Sequence, residues 1–94
     1  QVEDFYAILA NIKQSGIKIY AAHLAGADYD KEAGYADRCA FLIGNEAGGL
    51  SGRAVALADK LIKIPMAGKV ESLNAAVAAA ILIYEAARQR RQAD

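Results

Sequence analysis

The residues with most capacity for chemistry lie in two glycine-bearing stretches. The first, Phe41-Leu-Ile-Gly-Asn-Glu-Ala-Gly-Gly-Leu-Ser51, follows an apolar run and opens onto a helical pattern. Glycines let a backbone approach a ligand closely, and free N–H groups at a helix start favour negative charge. The same composition also makes an ordinary strand-to-helix turn. Two nucleotide-binding patterns do not fit. Counted from Gly44, a phosphate loop needs Lys after Gly49, and Leu50 stands there. The dinucleotide fingerprint needs glycine where Glu46 stands, and a carboxylate there repels pyrophosphate.

The second stretch is Pro65-Met-Ala-Gly-Lys-Val-Glu-Ser-Leu-Asn74. Pro65 stops a strand, Gly68 permits a sharp turn, and Ser72 can cap the helix that follows. Asn74 would project from the first turn, where its amide could orient backbone or ligand. Cap plus turn is the purely structural alternative. Other polar residues read more simply. Asp28, Asp30 and Glu32 alternate like the opening of a calcium loop, but Ala33 and Cys39 occupy the positions that need glycine and a carboxylate. A solvated acidic loop without metal is expected. His23 stands alone near a strand end and reads as a structural or surface histidine. Cys39, the single cysteine, can form no internal disulfide; packing in a strand and a reducing cytoplasm are expected.

These residues need elements to position them. Val2, Phe5, Ile8, Leu9 and Ile12 recur at helical spacing, with Glu3 and Asp4 at the start, Lys13 near the end and Gly16 as the cap. Ile17 to Leu24 reads as a strand. Ala25 to Asp37 reads as a loop with a helical turn around Tyr29 to Ala33. Cys39 to Ile43 is an unbroken apolar run, the pattern of a strand covered on both faces. A short helix from Ser51 to Ala58 and a strand from Leu61 to Ile64 follow. Ser72 to Arg91 makes a helix of roughly 30 Å. Glu85 with Arg88 or Gln89 is placed on its exposed side, and Arg88, Arg90 and Arg91 suit the carboxyl end of its dipole. Ala75, Ala76, Ala78, Ala79 and Ala80 give it a thin face suited to close packing against another helix or a threaded segment; helix propensity is the plainer account. The alternation predicts an α/β unit with a mostly parallel sheet flanked by helices.

Composition bounds the function. The 94 residues are 55% hydrophobic with a formal net charge of zero. A core is available, and no overall electrostatic pull draws the chain toward nucleic acid or an anionic membrane. Docking to any nucleic acid would have to rely on local patches or on segments outside this sequence. The longest apolar run, Ala75 to Tyr84, is too short to span a bilayer. A start at Gln1 inside a helical pattern is the start expected of a fragment, and processing or tag removal leaves the same end.

Taken together, Ile43-Gly-Asn-Glu-Ala-Gly-Gly-Leu-Ser51 and Ile64-Pro-Met-Ala-Gly-Lys-Val-Glu-Ser-Leu-Asn74 resemble the second and third signature motifs of the SpoU-type, TrmH-like RNA 2′-O-ribose methyltransferases. The helix ending Tyr84-Glu-Ala-Ala-Arg-Gln-Arg90 is similar too, so the likeness runs from about Lys18 to Arg90. The resemblance implies a SPOUT fold with a deep trefoil knot and a homodimer. It implies S-adenosylmethionine as cofactor, held by backbone groups at Gly44, Ile64 and Leu73, with Met66 in the same loop and Ala22 as a pocket wall. Glu46, Ser72 and Asn74 match the polar residues that position substrate, cofactor and a catalytic arginine. The reaction it implies is transfer of a methyl group to a ribose 2′-hydroxyl of RNA, with ribosomal RNA favoured over transfer RNA. The family's first motif, with an Asn and the catalytic Arg, matches nothing here, and Arg38 and Arg53 match neither position. Residues 1–94 are therefore expected to be the carboxy-terminal, cofactor-binding part of such a domain, inactive alone. The alternatives are a noncatalytic dimerisation or RNA-binding module that keeps the fold, and an unrelated nucleotide-binding domain.

Overall fold

The computed structural model describes residues 2–44, 50–64 and 75–93. Helix α1 spans Val2–Gln14, with Glu3 and Asp4 in its first turn and Lys13 in its last. It stops where Gly16 takes φ +80°, a left-handed value that suits glycine, and the Ile17 N–H reaches back to the Ile12 carbonyl at 3.3 Å. Strand β1 follows (Lys18–Asp28), then two single 3₁₀ turns (Tyr29–Lys31 and Gly34–Ala36) and strand β2 (Cys39–Leu42). Helix α2 covers Gly52–Leu57, strand β3 Lys60–Lys63 and helix α3 Ala75–Ala93. The strands form one parallel sheet in the order β2-β1-β3, so the first strand in the chain is the central one.

Alternation along the strands divides the core into two faces. Ile19 and Ala21 of β1, with Leu42 of β2, meet Leu9 of α1 and Ala54 of α2. Tyr20 points the other way and packs with Tyr35, Ile62 and the Leu82 and Ala86 side chains of α3. Helices therefore cover both faces, as the apolar run at Cys39 to Ile43 predicts: Ala40 touches the first cluster while Cys39 and Phe41 touch the second. Tyr20, Tyr35 and Phe41 meet edge-on or tilted, with ring centroids 4.9 to 6.0 Å apart.

The structure departs from the sequence reading in three places. β1 runs past Leu24 to Asp28, because the chain leaves the sheet after Ala22 and rejoins it at Ala27. Both residues pair with Ile62, leaving His23 to Gly26 as an excursion. Glycine is required where the excursion returns: a Cβ on Gly26 would lie 2.5 Å from the Ile62 nitrogen and the Leu61 carbonyl carbon. The expected loop also holds two 3₁₀ turns rather than one helical turn. Glu85, placed on an exposed face, is buried at 8% exposure. It lies on the same face as Ala78, Leu82 and Ala86, and the 3₁₀ segment around Tyr35 packs over it. Of the alanine face, Ala78 is buried while Ala76 and Ala80 are exposed. Residues 65–74 belong to the carboxy-terminal part in which the resemblance places the knot, and they lie outside the described residues.

Candidate functional site

Parallel strands place all their carboxyl ends at one edge, which is where ligands bind in sheets of this type. Ala21 pairs with Leu42 and Ala22 with Ile62, so Ala22, Gly44 and Ile64 stand where the three strands leave that edge. All three are partly buried. Ile43 and Ile64 pack against the Tyr20–Ile62–Leu82 cluster and give the edge an apolar floor. The structure thus brings together three of the residues singled out in the sequence. Glu46, Met66, Ser72, Leu73 and Asn74 lie outside the described residues, though α3 begins at Ala75, directly after Asn74.

Ala22, Gly44 and Ile64 carry no titratable side chain, so they contribute no acid or base. Small side chains at Ala22 and Gly44 leave backbone donors and acceptors approachable beside apolar walls, a combination that can read the edge of a flat heterocycle. The excursion after Ala22 lies at the same edge. His23 Nδ1 accepts the Ala25 N–H at 3.0 Å, and Leu24 is 80% exposed.

The remaining candidates are engaged elsewhere. Asp28 pairs with Lys63 at 3.8 Å, and Glu32 with Lys60 at 2.9 Å. The Lys60 ammonium holds the Glu32 carboxyl below its ordinary range despite partial burial. Burial raises the Cys39 thiol above its ordinary value, so it packs and is not activated. Arg53 is bound by Glu3 at 2.9 and 3.1 Å and lies 4.1 Å over the Tyr6 ring. Arg38 lines a depression of about 370 Å³ with Gly16, Lys18, Gly34 and Asp37 at the opposite, amino edge of the sheet. Ser51, at the end of the glycine stretch, caps α2: its Oγ accepts the Ala54 N–H at 3.1 Å and shares a 2.6 Å hydrogen bond with the Tyr6 hydroxyl. Asp59 closes the amino edge, its carboxylate accepting the Ile19 N–H at 2.7 Å while its own N–H donates to the Ile19 carbonyl at 2.8 Å. No described helix is long and apolar enough to cross a membrane.

The sequence reading paired Glu85 with Arg88 or Gln89 but set them on the exposed side, whereas the structure buries the Glu85 carboxylate. Glu85 accepts from Arg88 at 2.8 and 2.7 Å and from Gln89 at 2.9 Å. Its carboxyl is pulled down to about 2, chiefly by the Arg88 hydrogen bonds. The spacing puts positions 78, 82, 85, 86 and 89 on one helix face, but only the contact with the Tyr35 segment covers that face.

A model of the family described as SpoU rRNA Methylase matches residues 1–84. The chain is 44% identical over 86 residues to tRNA (guanosine(18)-2'-O)-methyltransferase of Escherichia coli K12, covering 90% of this chain and 38% of that protein. It is 44% identical over 91 residues to the protein of the same name in Thermus thermophilus, covering 96% of this chain and 47% of that one. Among solved structures, the Aquifex aeolicus TrmH/SpoU tRNA modifying enzyme superposes with a TM-score of 0.83 at 36% identity, over 93% of this chain and 45% of that one. The SpoU methyltransferase AviRb of Streptomyces viridochromogenes, in complex with AdoMet, gives 0.80 at 34% identity, over 98% of this chain and 37% of that one. The chain thus spans less than half the length of these relatives. By sequence and by its helix-flanked parallel sheet alike, it belongs to the SpoU rRNA methylase family.

Proposed function

We propose that this chain is the cofactor-binding part of an S-adenosylmethionine-dependent RNA 2′-O-ribose methyltransferase. The carrying observation is the convergence of Ala22, Gly44 and Ile64 at the carboxyl edge of parallel strands. Those residues fit the cofactor: backbone groups at Gly44 and Ile64, together with Leu73, would hold the adenosine, with Ala22 and Met66 as walls. When bound, S-adenosylmethionine supplies a methyl group on a sulfonium. Glu46, Ser72 and Asn74 position the acceptor ribose and the arginine that polarises its 2′-hydroxyl. Alignment of acceptor and donor supplies much of the acceleration in such a transfer. The RNA to test first is transfer RNA, because the relatives from E. coli and Thermus bear that substrate in their names; ribosomal RNA, favoured by the resemblance, is the second. The reading includes a cytoplasmic homodimer and the trefoil knot that the resemblance implies.

Calorimetric titration with S-adenosylhomocysteine tests it, on the chain and on Leu73→Arg. Saturable binding abolished by the arginine supports the pocket. A folded chain that dimerises and gives no heat, while a longer relative binds, rejects it in favour of the noncatalytic module.

A further inference from the structure

A second concave surface lies at the amino edge of the sheet. Gly16, Lys18, Gly34, Asp37 and Arg38 line the depression of about 370 Å³ there, a size that suits a small ligand or one unit of a larger one. Lys18 and Ala22 are four residues apart on β1, which sets this edge about 13 Å from the candidate cofactor edge at ~3.3 Å per residue. Backbone hydrogen bonds hold the walls. The Lys18 N–H donates to the Arg38 carbonyl at 3.3 Å, and the Gly16 N–H to the Lys13 carbonyl at 3.2 Å. Gly34 is fixed from both sides: its N–H donates to Glu32 Oε1 at 3.3 Å, and its carbonyl accepts the Asp37 N–H at 3.3 Å. The depression is thus preformed.

Its charges are uncommitted. Lys13 pairs with Asp59 at 3.4 Å and Lys60 with Glu32 at 2.9 Å, so the neighbouring carboxylates already have cations. Lys63, Arg53 and Arg88 have carboxylates of their own. Lys18 and Arg38 are exposed and pair with no carboxylate among the described residues. They enter adjacent strands, which keeps their charges side by side where an anion can meet both. Asp37 narrows the choice of anion. A carboxylate accepts hydrogen bonds and donates none, so a bare phosphate meets only repulsion from it. A ribose 2′-hydroxyl offers it a donor. Phosphates on either side of a ribose therefore match all three side chains, and the two glycines let a sugar–phosphate backbone come close. DNA lacks that hydroxyl.

We infer that Lys18, Asp37 and Arg38 form a docking site for an RNA strand, with the cations on phosphates and Asp37 on the 2′-hydroxyl between them. The inference rests on the proposed action on RNA and gives that substrate a contact away from the cofactor edge.

Fluorescence anisotropy with a short single-stranded RNA, and with DNA of the same sequence, tests the site across a salt series. The proteins are the full chain, the double variant Lys18→Gln with Arg38→Gln, Asp37→Ala and Arg53→Gln. Every replaced side chain is exposed, so the fold should persist, and circular dichroism checks it. The double variant should bind RNA about tenfold more weakly. Its slope of log affinity against log salt should shrink by about 1.4, or about 0.7 for each phosphate contact on a single strand. Arg53→Gln removes a cation tied to Glu3 and should stay within about twofold of the wild type. Asp37→Ala should lose the preference for RNA over DNA. An unchanged slope in the double variant overturns the inference, as does an equal loss in Arg53→Gln. So does an unchanged RNA preference in Asp37→Ala, or a mononucleotide bound as tightly as the strand. Titration with S-adenosylhomocysteine separates this site from the cofactor reading, since the double variant should bind it as the wild type does. A chain that binds the cofactor product and no RNA overturns the docking site alone. One that binds RNA through Lys18 and Arg38 and no cofactor product overturns the cofactor reading and supports the docking site.

Discussion

Replacing Glu85 with glutamine should remove a charge from the best-held carboxylate among the described residues while keeping its shape. The Glu85 carboxyl falls from its ordinary 4.5 to about 2. Linkage converts that fall into a ceiling of roughly 3 kcal/mol of stability. Arg88, however, is 42% exposed and regains water when the pair is broken, so about 1–2 kcal/mol is the expected cost at pH 7. The glutamine amide would also face donors from both Arg88 and Gln89. For a domain of this size that is a fall in Tm of about 5–15 °C. The sign with pH follows from the depressed value. The contribution is complete above about pH 4.5 and drains away as pH falls toward 2, where the native glutamate is itself protonated. Urea unfolding followed by far-UV circular dichroism from pH 7 to pH 3 should show the two proteins converging as acid is added. A gap that stays constant across this range would show that shape, not charge, carries the effect. Identical stability at pH 7 would show that the pair contributes nothing.

Two further substitutions test the packing. Gly26→Ala drives a Cβ into β3 backbone and should cost at least about 2–3 kcal/mol; Gly52→Ala, which meets nothing within 4 Å, should be neutral or stabilising by up to ~1 kcal/mol. Equal melting temperatures for these alanine variants would refute the close approach. Tyr20→Phe removes a buried hydroxyl that has no hydrogen-bond partner among the described residues and whose titration is pushed up to about 12 by burial; stability should rise by up to ~1 kcal/mol, and a loss of that size would mean the hydroxyl is satisfied.

Much of this fold was legible because local signals and tertiary packing agree. The spacing of Phe5, Leu9 and Ile12, the glycine at position 16 and the apolar runs at 39–43 and 61–64 each specify an element without help from elsewhere. The failures share one cause. The end of β1 is set by contact with Ile62, and the burial of Glu85 by contact with the Tyr35 segment, both distant in sequence. A glycine among polar residues looks like a loop until a neighbouring backbone is found against it. A glutamate with Arg and Gln three and four positions on looks like a surface pair until something covers it. At the candidate site, the sequence showed where β2 and β3 end, while Ala22 marks where β1 first leaves the sheet. That Ala22, Gly44 and Ile64 share an edge follows from the parallel pairing, which periodicity alone does not specify.

The central place of β1 also orders events during synthesis. Every sheet pairing in the described structure includes β1, the first of the three strands in sequence, and the β1–β2 pairing closes a loop about half as long as the β1–β3 pairing does. Shorter closure carries the smaller entropic cost, so the β1–β2 ribbon can form while β3 is still in the exit tunnel. Until β3 arrives, the polar backbone along the β3 side of β1 lacks the partner this sheet gives it. During that interval the nascent chain presents a sticky edge, and ribosome-associated chaperones have reason to attend to it.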